Sequence, residues 1–563
     1  MKHFVILSLL LSLTMPVYGT EPSQIAGQTK KKTTSTKKRP AKKTKAKTKS
    51  KAKAKSKRAT KPKASSSKLD TRAYKRYEDK SELSRALSLA KSQQYADASR
   101  ILFDLSRNPK YRAERDQIRY ILGIMLFEMG LYQSAGYQFV SVVRQGGSRY
   151  TDKSLEKLST AADILNDRTL LNYSMSKVNL DKFPKEQRDM LRFRVGEYQY
   201  EGKQFDKSAH NFSRVSKSSP YYSKAKYMEG LSQAEMNQLQ DALNSFNELQ
   251  GVRDQYGVVD TNRVAAMLGK ARIYYQNRSW EKAIEAYREI PRDSFMWHDA
   301  LFEMSWALMR SAKLRSVLSN FQSLHSPYYE DAYIPESLLL RGIVYLYICQ
   351  YEEMNKTLDL FGSIYKPVSN KLKKFLSSRP RPDEYYSQQL EIMNNFKMYN
   401  ENQAARSKLS IPFIVGNKVS QEGDFQGTEM YIQKLKEERE TLNNLPADWR
   451  RSAVGTASIK LVGRRIKAAE RRAGLQIKRH LIEINRELDK LIEQSDFAKY
   501  EMLNAKKEGI KKTIGLAPKE NTLDENVDRE FFIQNGYEYW PFQGEYWLDE
   551  LGNYHYLGKQ SCE

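Results

Sequence analysis

Few side chains in this 563-residue sequence have the type and spacing that covalent or metal chemistry needs. The six histidines (His3, His210, His298, His325, His480 and His555) are scattered. None forms the HExxH or HxH pair that would bring two imidazoles to one metal. The phosphate-cradling GxxxxGK[ST] and GxGxxG loops and the GxSxG nucleophile turn do not occur. Adjacent acids such as Glu352 and Glu353 fall on solvated helix turns, where nothing tunes them for proton transfer. The two cysteines stand 213 positions apart. Cys349 reads as a small buried residue at the end of a helix. Cys562 could pair with it in an exported chain, or could link two chains from an exposed position. No catalytic, cofactor or metal site is predicted, so the chain reads as non-enzymatic. An enzyme with a regulatory repeat domain would need a catalytic constellation in residues 366–563, and none is visible there.

The informative residues are instead small and aromatic ones at fixed spacing. In Tyr120 to Val143 they are Gly123, Leu126, Gly130, Tyr132, Ala135 and Phe139. In a helix–turn–helix, Gly123 admits a neighbouring helix and Leu126 continues the buried stripe. Gly130 ends the first helix and Tyr132 plugs the turn. Ala135 is the small residue at the crossing, and Phe139 fills the space one turn later. This is the tetratricopeptide (TPR) pattern, with a repeat of about 34 residues. The small position recurs at Ala98, Ala135, Ser208, Ala242, Ala283, Val317 and Met354. The double gap between Ala135 and Ser208 predicts a degenerate copy around Ser159 to Lys177. The expected fold is therefore all-α: a TPR-type α-solenoid of about seven to eight hairpins over residues 70–366.

Stacked hairpins make a superhelix whose inner face is lined by the first helix of each repeat. Candidate groove residues are Arg192, Tyr198 and Gln199 in one repeat, Lys226 and Gln233 in the next, and Arg272 and Gln276 beyond. The expected partners on that face are proteins.

Flanking segments bear on location. Residues 1–19 read as a signal peptide: Lys2 and His3, an apolar run from Phe4 to Met15, then Pro16, with Val17 and Gly19 small enough for cleavage. Residues 20–69 form a Lys-rich tail with 19 Lys or Arg and no acid between Thr29 and Lys68. With no large apolar residue to bury, that stretch is expected to be disordered. It supplies most of the formal +28, whereas residues 70–563 carry only +9. The tail fits anionic envelope polymers, peptidoglycan or anionic lipid. Its other reading is a histone H1-like nucleic-acid tail, which export would put out of reach. Positive charge beginning at Lys30 works against translocation.

Residues 367–517 read as long helices. A helix is expected over Asp383 to Arg406 and a loop over Ser410 to Gly427. A further helix follows from Thr428, as cap, to Asn443. A long charged helix then runs from Asp448 to about Gly509. Ile477, Leu481, Ile484, Leu488 and Leu491 make a short heptad stripe, suited to a coiled coil or to an antiparallel hairpin with the helix before Pro446. Residues 518–563 end in an aromatic segment, expected as short strands or an extended stretch. Its rings, Trp540, Phe542, Tyr546 and Trp547 foremost, should dock on the long helix or on a partner.

The segment Trp540 to Tyr556, WPFQGEYWLDELGNYHY, and the stretch Tyr345 to Pro367, YLYICQYEEMNKTLDLFGSIYKP, stand here behind a signal peptide, a TPR solenoid and a long helix. Together they resemble deltaproteobacterial periplasmic TPR proteins associated with the adventurous gliding-motility machinery. The resemblance implies a periplasmic or outer-membrane-associated scaffold within an envelope-spanning complex. The resemblance does not extend to the Lys-rich tail, which leaves open whether this chain serves motility or another envelope task.

Overall fold

The computed structural model describes residues 81–145, 148–167, 169–170, 185–249, 251, 253, 260–294, 296–329, 332–513, 544–556, 558 and 562. The expected signal peptide and tail, together with Trp540 and Phe542, lie outside them. The described residues form 22 α-helices and no strand. In chain order the first fifteen are α1 (Ser81–Lys91), α2 (Tyr95–Arg107), α3 (Arg115–Glu128), α4 (Tyr132–Gln145), α5 (Thr151–Leu165), α6 (Lys185–Glu201), α7 (Phe205–Phe212), α8 (Tyr222–Glu235), α9 (Leu239–Asn247), α10 (Thr261–Gln276), α11 (Trp280–Arg288), α12 (Trp297–Arg310), α13 (Leu314–Leu324), α14 (Pro335–Tyr347) and α15 (Tyr351–Ser377). They build the TPR-type solenoid.

Each first helix stops the same way. Gln93, Gly130, Asn166, Lys203, Asn237, Arg278, Ala312 and Cys349 all adopt φ between 56° and 76°. The N–H of the following residue then reaches back to a carbonyl in the last turn of the helix, as in Leu131 to Leu126, Asp167 to Ala162 and Gln204 to Gln199. This Schellman closure satisfies a carbonyl left open at the helix end. It also offsets the roughly 1–2 kcal/mol that a non-glycine residue loses in the left-handed region. Asn166 carries the same closure at the end of α5, as a first helix of the expected degenerate copy would, whereas residues 171–177 of that copy lie outside the described residues.

The small–large pairs close the hairpins. A Cβ on Gly123 would stand 2.5 Å from the Phe139 ring, and one on Gly196 2.6 Å from Phe212. Gly230 has the same relation to Phe246. The plug residues meet the preceding helix edge-on: Phe127 with Tyr132 at 5.0 Å, Tyr200 with Phe205 at 5.3 Å, and Tyr275 with Trp280 at 5.0 Å. Ala98, Ala135, Ser208, Ala242, Ala283, Val317 and Met354 are all fully buried.

The second half departs from the sequence reading in several places. α15 continues unbroken through Pro367 to Ser377, so the expected boundary at 366 falls inside a helix. The single helix expected over Asp383 to Arg406 is three: α16 (Pro382–Asn394), α17 (Phe396–Glu401) and α18 (Gln403–Arg406). The expected loop contains α19 (Phe413–Ser420), whose Phe413, Val415, Gly416 and Val419 are buried. α20 runs from Gly423 to Asn444. Thr428 is not its cap but lies inside it, its hydroxyl donating to the Asp424 carbonyl. A short α21 (Ala447–Arg451) precedes α22 (Ala453–Thr513), 61 residues and about 90 Å long.

α20 and α22 form an antiparallel hairpin, one of the two arrangements the heptad stripe allowed. Asp424 near the start of α20 meets Arg479 and His480, and Tyr431 further along meets Arg472. The heptad residues Ile477, Leu481, Ile484, Leu488 and Leu491 are buried. α22 also packs against α16, α15 and α14, and at its other end against α2 and α4. Gly474 makes one of these contacts possible, because a Cβ there would overlap the Pro382 backbone. No described helix is long and apolar enough to cross a membrane.

Candidate functional site: the repeat surface and the segments docked on it

The row of first-helix residues is only partly free. Arg192 donates to the Arg214 carbonyl at 2.9 Å, and Gln199 accepts from Asn211 at 2.8 Å, each bond staying within one hairpin. Lys226 is 8% exposed and pairs with Glu229 at 2.8 Å and with Glu248 at 3.4 Å. Gln233 accepts from Ser245 at 2.7 Å. Arg272 makes a two-pronged bond to Glu303 of α12, at 2.9 and 2.6 Å, and Tyr287 donates to the same carboxylate at 3.1 Å. Burial alone would lower the Arg272 pKa, but the Glu303 charge and hydrogen bonds outweigh it and raise the value. These five side chains therefore hold helix to helix. Tyr198, 51% exposed, and Gln276 remain on the open surface.

A second network that spacing did not reveal joins three successive first helices. Arg194 of α6 bonds Asp163 of α5 at 2.6 Å and Glu197 at 2.7 Å, and Lys224 of α8 reaches Glu197 at 3.1 Å. Tyr221 donates to Asp163 across 58 positions of sequence. Such a chain of ion pairs fixes the angle between consecutive repeats and hence the curvature of the surface.

Part of the repeat surface is already covered by the chain's own C-terminal segment. Its described residues dock on α12, α13 and α14, whereas Trp540 and Phe542, also expected to dock, lie outside the described residues; over 544–556 it is extended with one turn of 3-10 helix at Leu548–Glu550. Arg292 donates to the Asp549 carbonyl at 3.1 Å and to Asn553 at 2.7 Å. The Gly552 and Tyr556 N–H groups donate to Ser323 and Ser319 at 2.7 and 2.9 Å. Gln322 donates to the Tyr546 hydroxyl, and Tyr556 meets Tyr345 edge-on. Leu551 is buried, and Gly552 lies flat on Trp297, where a side chain would not fit. Beside it is a cleft of about 400 Å³ lined by Trp297, Leu301, Met304, Ser319 and Asn320. Of the docking candidates, Tyr546 is engaged, whereas Trp547 is 56% exposed.

Beyond that segment Cys562 forms a disulfide with Cys349. Cys349 is thus neither free nor a buried core residue. It is half-buried, in the left-handed turn between α14 and α15, where its side chain projects to the surface. The turn geometry that made it hard to read from sequence is what presents its sulfur.

At the opposite end of the solenoid the α20–α22 hairpin is anchored by polar groups. Glu438 is 2% exposed and accepts from the Gln133 N–H at 2.6 Å, the Ser134 N–H at 3.1 Å and the Ser134 hydroxyl at 2.9 Å. It satisfies the open N–H groups in the first turn of α4 from 304 residues away. Burial pushes its carboxyl up to about 7, against the three hydrogen bonds that pull it down. Trp449, 1% exposed, donates its indole N–H to Ser99 at 2.9 Å. Arg100 pairs with Asp448, and Asn166 donates to the Gly427 carbonyl. No three His, Cys, Asp or Glu side chains converge as a metal site among the described residues.

The sequence profile of the tetratricopeptide repeat matches residues 227–295, which span two successive hairpins, α8–α9 and α10–α11. Among solved structures, the chain is similar to "Crystal Structure of Rap Protein Complexed with Competence and Sporulation Factor" at 11% identity and a TM-score of 0.23, covering 64% of this chain and 99% of that one. It is also similar to "Crystal Structure of P58(IPK) TPR Domain at 2.5 A" at 12% identity and a TM-score of 0.17, covering 69% and 99% respectively. No curated protein sequence matches. Residues 227–295 thus carry tetratricopeptide repeats within a TPR-type all-helical solenoid, an architecture whose surfaces generally serve protein interaction.

Proposed function

We propose that this chain is an exported, non-enzymatic cell-envelope scaffold that binds partner proteins on the open part of its TPR superhelix. The observation that carries the reading is the Cys349–Cys562 disulfide. A structural disulfide persists in an oxidising compartment and is rare where thiols are kept reduced. It agrees with the signal-peptide character of residues 1–19 and favours the periplasm or an outer-membrane-associated position. The resemblance of residues 540–556 to the gliding-motility TPR proteins makes a motility machine, or another envelope-spanning complex, the assembly it serves. The Lys-rich tail then contacts an anionic envelope polymer or lipid.

A photo-crosslinking residue at position 198 or 276 in living cells tests this. The reading expects a discrete protein adduct in the envelope fraction. Adducts only with cytosolic protein or nucleic acid would move the tail to the centre of function and sink the scaffold reading.

A further inference from the structure

The net charge of the folded part is concentrated in one place. Residues 449–481 contain ten Lys or Arg and one acid, Glu470, which accounts for the whole +9 of residues 70–563. Helix geometry divides these cations into two faces. Arg465, Arg472 and Arg479 point towards α20; Arg472 lies over the Tyr431 ring and Arg479 pairs with Asp424. Lys460, Arg464, Lys467, Arg471 and Lys478 recur at steps of 4, 3, 4 and 7, which returns each to the same side of α22. All five are exposed, and none has an acidic partner among the described residues. Arg379 is exposed in the loop that leads into α16, whose first residue, Pro382, rests on Gly474 beside this line. The result is a straight row of like charges about 27 Å long on a rigid, packed helix.

Holding five unpaired cations in line costs stability through mutual repulsion unless an anionic surface meets them. We infer that this face of α22 is a docking surface for an anionic lipid bilayer. A straight row on a single helix face matches a flat sheet of headgroups. Single-stranded nucleic acid is the poorer match, because residues 450–496 contain no Phe, Tyr or Trp on which bases could stack. Choosing lipid over duplex DNA rests on the export reading above, but the binding itself is independent of compartment. The folded scaffold would thereby lie along the membrane by its long helix, in addition to any contact through the tail.

The test is sedimentation of the purified full-length chain with phosphatidylcholine vesicles containing about a third phosphatidylglycerol, near 0.1 M salt. One variant replaces Lys460, Arg464, Lys467, Arg471 and Lys478 by Gln. A control replaces Lys110, Lys282, Lys374, Lys408 and Arg439, also exposed and off this face, by Gln. Both keep the tail and have the same net charge. A cation near such a surface contributes about five-fold in partitioning. The row variant should therefore lose at least about tenfold in vesicle affinity with a shallower salt dependence, and the control less than about twofold. Equal losses in the two variants, or none in the row variant, would overturn the assignment. So would a loss confined to duplex DNA binding, which would make the row a nucleic-acid surface. If circular dichroism shows the row variant misfolded, the pair Lys467→Gln and Arg471→Gln alone carries the comparison, with an expected loss of about tenfold or more against an unchanged Lys374→Gln, Lys408→Gln pair.

Discussion

Replacing Glu438 by Gln should change how stability depends on pH, and the size of the change follows from where the carboxyl sits. It is nearly inaccessible, and its pKa rises from 4.5 to about 7 on folding. Below pH 4.5 the group is protonated in both folded and unfolded chains, and its contribution is flat. Between 4.5 and 7 the unfolded chain releases its proton while the folded one keeps it, so stability falls as pH rises. Above 7 both are ionised, and the folded chain carries a buried anion at a loss of about 3 kcal/mol relative to acid. The amide of the Glu438→Gln variant cannot ionise and still offers one carbonyl to the Gln133 and Ser134 donors. The difference in urea stability between wild type and Glu438→Gln should thus shift by about 3 kcal/mol in favour of the variant between pH 4.5 and 7.5. Glu438→Ala should be worse than either at every pH, because three buried donors lose their acceptor at about 1–3 kcal/mol each. A difference between wild type and Glu438→Gln that stays constant with pH would refute the reasoning, since the carboxyl would then be solvated or held ionised by its donors.

Three further outcomes follow from packing. Gly474→Ala forces a methyl into the Pro382 backbone, which cannot rotate away, so α16 must separate from α22; thermal unfolding should show a loss of about 3 kcal/mol or more. Trp449→Ala empties a large buried site, costing about 3–5 kcal/mol, while Ser99 keeps its bond to the Ala96 carbonyl; Ser99→Ala alone leaves one buried indole N–H unpaired and costs about 1–3 kcal/mol, both read from denaturant unfolding. Cys349→Ser should accelerate amide exchange at Gly552 and Tyr556 with little effect at Glu438's partners. The bond closes a loop of over two hundred residues, and loop entropy caps its contribution at about 5 kcal/mol. Exchange at Gly552 that is unchanged in the variant would mean that the serine and arginine contacts hold the segment without the bond.

Much of the solenoid is legible in the sequence because its constraints are local. The Gly–Phe and Tyr–Trp offsets act within one hairpin, so spacing alone reveals them. The left-handed turn escapes a residue-type reading because Gln, Lys, Asn, Arg, Ala and Cys fill it as well as Gly does, held by backbone bonds. The loop expected from Gly416, Gly423 and Gly427 fails for a related reason. Gly416 is small because Ile392 presses on it, not because the chain turns there. What spacing cannot supply is long-range pairing. Glu438 with Ser134, Trp449 with Ser99 and Ser323 with Gly552 join positions hundreds of residues apart, and nothing local marks them. For the groove row, helix face alone singles out Arg192, Gln199, Lys226, Gln233 and Arg272, and their partners lie on helices whose positions only the fold supplies.

The exported, disulfide-closed scaffold is tested most directly by mass spectrometry of the native chain after cell fractionation. The account predicts an envelope-fraction protein that begins at Thr20. Its peptides containing Cys349 and Cys562 should be linked before reduction and separate after it. A cytosolic chain still beginning at Met1, with both thiols free, would contradict the account.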